Sequence, residues 1–181
     1  MAIDESALQF LADHRVELID HAARATMSAG TNKYLVLAEA IVAVVVVAKL
    51  HLGRVAVLGL VAVAASTVMA DVMKAAIGRP RPSRALALVH AAGSSMPSTN
   101  TAQIAALAAV VGWLLARRWP SRTLTIVIIC ALAVLWVGFC VVYLGAHWPS
   151  DAIVGAAVGG AAATAVLRVD TRLTGNGHIE C

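Results

Sequence analysis

Charge is scarce in this sequence. Asp, Glu, Lys and Arg make up 13% of its 181 residues, while 60% are hydrophobic; a soluble domain carries roughly 25% charged residues. Too few polar side chains remain to cover a core from water, so composition argues against an ordinary soluble domain. Aromatics are scarce as well, at 4%. The net charge of +4 therefore comes without the basic, aromatic-studded face of a nucleic-acid binder. Nucleic acid is not an expected partner, and an anionic lipid or a phosphorylated substrate is. The three cysteines, Cys130, Cys140 and Cys181, have neither metal nor redox spacing. The N-terminal segment lacks the basic start and long apolar stretch of a signal peptide.

What the chain has instead is apolar length. Five runs, at about 34–50, 55–73, 98–116, 123–143 and 149–167, are dominated by Ala, Val, Leu and Gly. Each is close to the roughly 17–25 residues that cross a bilayer as a helix. The stretch GAAVGGAAATA at 155–165 supplies small residues that let helices approach closely. The expected fold is an all-α, polytopic membrane helix bundle of about five transmembrane helices. Residues 1–30 differ: they are charged, with Leu8, Leu11, Leu18 and Ile19 at helical spacing. They are expected to form an amphipathic surface helix on the bilayer, or else a helix packed on the bundle's end. The expected organisation is residues 1–30 as this N-terminal segment, 31–170 as the membrane domain and 171–181 as a polar tail.

Basic residues mark one end of the bundle. They sit at 49–54, in RRWPSR at 117–122, and at Arg168 and Arg172. By the positive-inside rule this end faces the cytoplasm, in what reads as a bacterial plasma membrane. The other end also carries cations, Lys74, Arg79, Arg81 and Arg84, but these fall among chemically distinctive segments. Three such segments meet there: KAAIGRPRP at 74–82, SSMPSTN at 94–100, and LGAHWPSD at 144–151. Together they bring fixed cations, a Pro97-Ser98 helix start and a His147–Asp151 pair. Cations and the free amides of a helix start bind phosphate. A histidine positioned by a carboxylate through its other ring nitrogen can act as a nucleophile. The chemistry is that of phosphoryl transfer at an outward-facing membrane surface.

These segments resemble the motifs of the phosphatidic acid phosphatase type 2 superfamily, K-x6-R-P, P-S-G-H and S-R-x5-H-x3-D. Lys74 and Arg81-Pro82 match the first in full. Pro97-Ser98 match the start of the second, and His147 and Asp151 the end of the third. The resemblance spans about 31–168. It implies a phosphate pocket formed by Lys74, Arg81, Ser98, Thr99 and Asn100, with His147 as a nucleophile that forms a phosphohistidine and Asp151 as its orienting partner. No metal or other cofactor is implied, since the carboxylate-rich ligand sets of metal phosphatases are absent. The activity implied is hydrolysis of a lipid-linked phosphate or pyrophosphate. Transfer to an acceptor other than water, and lipid-phosphate binding without turnover, are the alternatives. Oligomeric state is not legible.

The chain departs from the family at two places. Thr99-Asn100 stand where the family has Gly-His, whose histidine protonates the leaving group, and Cys140-Val141 stand where it has Ser-Arg, whose arginine holds phosphate. Asparagine cannot donate a proton in that way. Arg79 is a possible substitute cation, and His90 a possible substitute acid, although a lone loop histidine is more often solvated. Asp71, one turn from Lys74, is expected to pair with it. Glu39 is an intramembrane carboxylate and a functional candidate on that ground.

Overall fold

The computed structural model describes residues 2–31 and 53–175. The described residues form α1 (Ala2–Asp13), α2 (Glu17–Thr31), α3 (Gly53–Ile77), α4 (Thr99–Arg118), a short 3-10 turn (Pro120–Arg122), α5 (Thr123–Tyr143) and α6 (Pro149–Gly175). No strand occurs among them. Among the described residues four helices are long and apolar enough to cross a membrane: α3, α4, α5 with the turn before it, and α6. The fifth expected run, 34–50 with Glu39, lies outside the described residues. α5 coincides with its expected span, while α3, α4 and α6 run past theirs at the C-terminal end. The last one continues to Gly175 and takes up the start of the expected tail.

The bundle is turned inside out relative to a soluble protein. Large side chains point outward: Leu60 is 71% exposed, Leu124 74% and Ile153 70%. The interior is built from small ones, with Ala62, Ala102, Ala106 and Ala163 fully buried beside Val110. Between lipid-facing helices there is little hydrophobic gain on association, so close packing takes its place. α4 packs against α3, α5 and α6. Its contact with α6 leaves no room for a side chain at two glycines. A methyl group added to Gly155 would stand 2.5 Å from the carbonyl oxygen of Ser98, and one added to Gly159 would fall onto the carbonyl oxygen of Ala102. This spacing of four places both glycines on one stripe of α6.

The N-terminal segment is two helices rather than one, broken between His14 and Val16. Its apolar face is turned onto the bundle. Leu8 is buried with Val141, Val142, Trp148 and Ala152, and Ala23 with Cys140, Tyr143 and Leu144. Leu18, expected on the apolar face, is 78% exposed. The break is docked by Arg15, which donates to the carbonyls of Leu86 and Tyr143, and by the Tyr143 hydroxyl, which lies 2.9 Å from the Val16 amide and 2.6 Å from Asp20. Both helices therefore sit over the end of the bundle where α3 and α5 finish and α4 and α6 begin.

The close α4–α6 crossing has a measurable consequence. Gly159→Ala should destabilise the bundle by about 1–3 kcal/mol, the usual cost of overpacking. Gly160→Ala, where the new methyl meets nothing within 4 Å, should be nearly neutral. Thermal unfolding of the two variants in the same detergent checks this contrast.

Candidate active site

Five local structures build the site. The first is the end of α3, which delivers Lys74. Its ammonium donates to the Thr99 hydroxyl at 2.6 Å, joining α3 to the first residue of α4. Asp71 is exposed and forms no ion pair with Lys74, because Lys74 turns inward to Thr99. The second is the loop between α3 and α4, which holds Arg81. Its Nε donates to the carbonyls of Ala92 and Gly93, and Nη1 to the carbonyl of Ala146 at 2.7 Å.

The third is the start of α4. Ser98 is fully buried, and its hydroxyl caps the helix by accepting from the Thr101 amide. That is an ordinary N-cap role. Buried in this way, Ser98 does not line the cavity, and the α4 groups there are Thr99 and Asn100.

The fourth is the turn between α5 and α6. Gly145 has φ of +70°, in the left-handed region, and an added Cβ would meet the backbone of Leu86 and Ala87 at 2.7 Å. Only glycine fits this turn without strain. After it, the amides of Ala146 and His147 both donate to the Val141 carbonyl, which fixes where His147 points.

His147 is 5% exposed. Its Nδ1 lies 2.7 Å from the Ser95 carbonyl, and its Nε2 lies 3.3 Å from Arg81 Nη1. A carbonyl can only accept and a guanidinium can only donate. The pair therefore selects one tautomer, with the proton on Nδ1 and the lone pair on Nε2. Burial pushes the imidazole below its ordinary value, and the Arg81 charge adds to this against the opposing pull of Asp151 and Ser95. The ring is thus neutral at neutral pH, as a nucleophile must be.

Asp151 has no exposure at all. Its Oδ2 accepts from the Trp148 amide at 2.9 Å and lies 3.6 Å from His147 Nδ1. The ring proton is therefore held by the Ser95 carbonyl, and Asp151 stands beside it as a charge. Its Oδ1 accepts from Arg79 at 2.6 Å. Arg79 does not line the cavity: its other contacts are Asp4 at 2.7 Å, the Ser150 hydroxyl at 2.7 Å and the face of Trp148. It serves the two carboxylates, not the space in front of His147. Asp4, on α1, is the fifth part of the site. It also accepts from the amide and hydroxyl of Ser150 at the start of α6. Burial would raise the Asp4 carboxyl, but the Ser150 and Arg79 hydrogen bonds outweigh it and hold the group below its ordinary value.

In front of His147 lies a cavity of ≈ 500 Å³. Lys74, Arg81, Thr99 and Asn100 line it, with Arg24 and His90. Burial lowers the Arg81 guanidinium from its ordinary value. Among the described residues the lining contains no carboxylate. An apolar groove of ≈ 250 Å³ adjoins it and shares Met27 and Asn100, which are themselves in contact through Asn100 Nδ2 and Met27 Sδ at 3.5 Å. Val63, Ile104, Leu107 and Val137 form its apolar walls. Val141 is fully buried against Leu8, so an apolar contact occupies the position that carries arginine in the resemblance. Nothing in the sequence pattern points to Asp4, Arg24 or the Ser95 carbonyl. Two belong to a segment whose docking depends on tertiary packing, and the third is backbone.

The fold has solved counterparts. The crystal structure of a transmembrane PAP2-type phosphatidylglycerolphosphate phosphatase from Bacillus subtilis is similar, with a TM-score of 0.78 and 23% identity, over 94% of this chain and 86% of that one. LpxE of Aquifex aeolicus is similar with a TM-score of 0.71 and 23% identity, over 93% of this chain and 96% of that one. No curated protein sequence matches the chain. The family model described as the PAP2 superfamily matches residues 55–174, which take in α3 to α6 and every motif segment around the cavity. By that match the chain belongs to the PAP2 superfamily.

Proposed function

We propose that this protein is a membrane phosphatase that cleaves a lipid-linked pyrophosphate, of the prenyl type, through a phosphohistidine. The observation that carries the reading is the Nε2 lone pair of His147 in a cationic cavity that continues into an apolar groove. A cavity of cations receives phosphate and the groove receives a hydrocarbon tail. The solved structures named above belong to a PAP2-type phosphatidylglycerolphosphate phosphatase and to LpxE, which agrees with a lipid phosphate substrate.

In the proposed reaction Nε2 attacks the terminal phosphorus, and Arg81 and Lys74 neutralise charge on its oxygens. A bond forms between Nε2 and phosphorus while the bond from phosphorus to the bridging oxygen breaks. The lipid monophosphate leaves with the electron pair. The imidazole is then a cation, and Asp151 beside Nδ1 stabilises it. Water next attacks phosphorus, releases inorganic phosphate and restores the neutral ring. The basic end, with Arg54 paired to Asp170 at 2.5 Å, is proposed to face the cytoplasm and the cavity to face outward. A Ser121→Cys variant in intact cells should resist an impermeant thiol reagent applied from outside. Ready labelling would invert the orientation.

His147→Ala should abolish turnover, and Asp151→Asn should reduce it while phosphate binding persists. Because the His147 pKa is depressed, the nucleophile loses its lone pair to protonation only below the ordinary imidazole value of about 6.5. The acid limb of kcat/KM should therefore lie below that pH, with activity rising as pH increases through it. A limb centred above it would contradict the proposed role of His147.

Substrate choice follows from Asn100. A general acid contributes about 10²–10⁴-fold by protonating the leaving oxygen. A basic alkoxide needs that help far more than a phosphate anion does. With asparagine in the acid's place, matched prenyl pyrophosphate and monophosphate should show a clear preference for the pyrophosphate. Asn100→His should raise monophosphate turnover. Equal rates with no gain from the variant would remove the pyrophosphate assignment.

A further inference from the structure

Among the cations that line the cavity, Lys74 is engaged by Thr99, and Arg81 by three backbone carbonyls and His147. Arg24 is different. It lines the same cavity from α2, is exposed, and makes no hydrogen bond or ion pair among the described residues. Its position is nonetheless held. The preceding residue, Ala23, is fully buried against Cys140, Tyr143 and Leu144, and Met27, one turn on, packs against the same cluster. The backbone of α2 is thereby anchored while the guanidinium keeps all its donors free.

The placement of α2 gives that guanidinium a particular neighbour. Met27 and Ser28 line the cavity, and Thr26 and Met27 line the apolar groove. This turn of α2 thus runs along the junction between the two spaces. A lipid pyrophosphate seated with its terminal phosphorus at His147 and its tail in the groove has its second phosphate at that junction. A volume of ≈ 500 Å³ is ample for two phosphates. We propose that Arg24 forms a second phosphate subsite, which binds the lipid-proximal phosphate of a pyrophosphate and stabilises it as it departs. This deepens the proposed function and rests on it for the direction of the reaction. Asn100 offers no proton to the departing oxygen, and a permanent positive charge on the leaving phosphate supplies an alternative form of help. Arginine suits this task, since its planar fork matches phosphate oxygens and stays charged at any working pH.

The test separates the subsite from catalysis. Binding of inorganic pyrophosphate and of inorganic phosphate to the full chain is measured calorimetrically in a non-ionic detergent free of anionic lipid. The wild type, Arg24→Ala and Arg24→Lys are compared, with a thermal melt of each to verify folding. Wild type should bind pyrophosphate more tightly than phosphate. Arg24→Ala should lose about tenfold more affinity for pyrophosphate than for phosphate, the scale of one charge-assisted contact. Arg24→Lys should recover part of the loss. Equal losses for both anions, no loss, or a wild type without preference would each overturn the subsite. If the differential loss is seen and no lipid phosphate is turned over, the subsite stands and the phosphatase reading falls. If lipid pyrophosphate is turned over and Arg24→Ala binds pyrophosphate like wild type, the reverse holds.

Discussion

A carboxylate with no solvent exposure, set where helices emerge from a membrane, has to be compensated or it does not stay ionised. Asp151 is that carboxylate, and much of the surrounding structure answers to it. Arg79 is drawn out of the motif loop to pair with one oxygen, and the Trp148 amide occupies the other. Arg79 then brings a second buried charge of opposite sign, Asp4, from an element remote in sequence. Ser150 ties Asp4 back to the first turn of α6. The result is a closed set of polar contacts behind His147, which keeps Asp4 and Asp151 out of the cavity in front.

That set is rigid because its supports are rigid. The Ser98 amide donates to the Asp151 carbonyl at 2.9 Å, so the starts of α4 and α6 are hydrogen-bonded to each other. Gly155 and Gly159 then bring the two helices into backbone contact below that link. The small residues of α6 are therefore part of how Thr99, Asn100 and Asp151 keep their relative positions. A site of this kind depends on placement to within a fraction of an ångström, and membrane helices achieve it by removing side chains as much as by adding them.

The helical class, the spans from 55 onward and the convergence of three motif segments on one end of the bundle were all legible in the residues. Period, length and the sparing use of charge are local properties, and local properties survive into the fold. Lys74, Arg81, Thr99, Asn100 and His147, which the family resemblance implies as site residues, do line one cavity. Roles that depend on competition for a donor or acceptor were not legible. Ser98 belongs to its helix cap, Arg79 to two carboxylates, and the proton of His147 to the Ser95 carbonyl in preference to Asp151. Nor could the pattern of residues 1–30 say which surface it would cover. An amphipathic helix reads the same whether it meets lipid headgroups or the end of its own bundle, and Leu8 and Ala23 settle the matter only through their tertiary contacts.

Among the described residues the cavity lining is cationic and holds no carboxylate, and this has a further consequence. A wall of cations draws in anions and holds on to them. On the proposed chemistry, the inorganic phosphate left after hydrolysis is held by the same Lys74 and Arg81 that received the substrate. Its departure then competes with chemistry for control of the turnover rate. Such an enzyme is throttled by its own product and senses the phosphate concentration of the compartment into which the cavity opens, working fastest where phosphate is scarce.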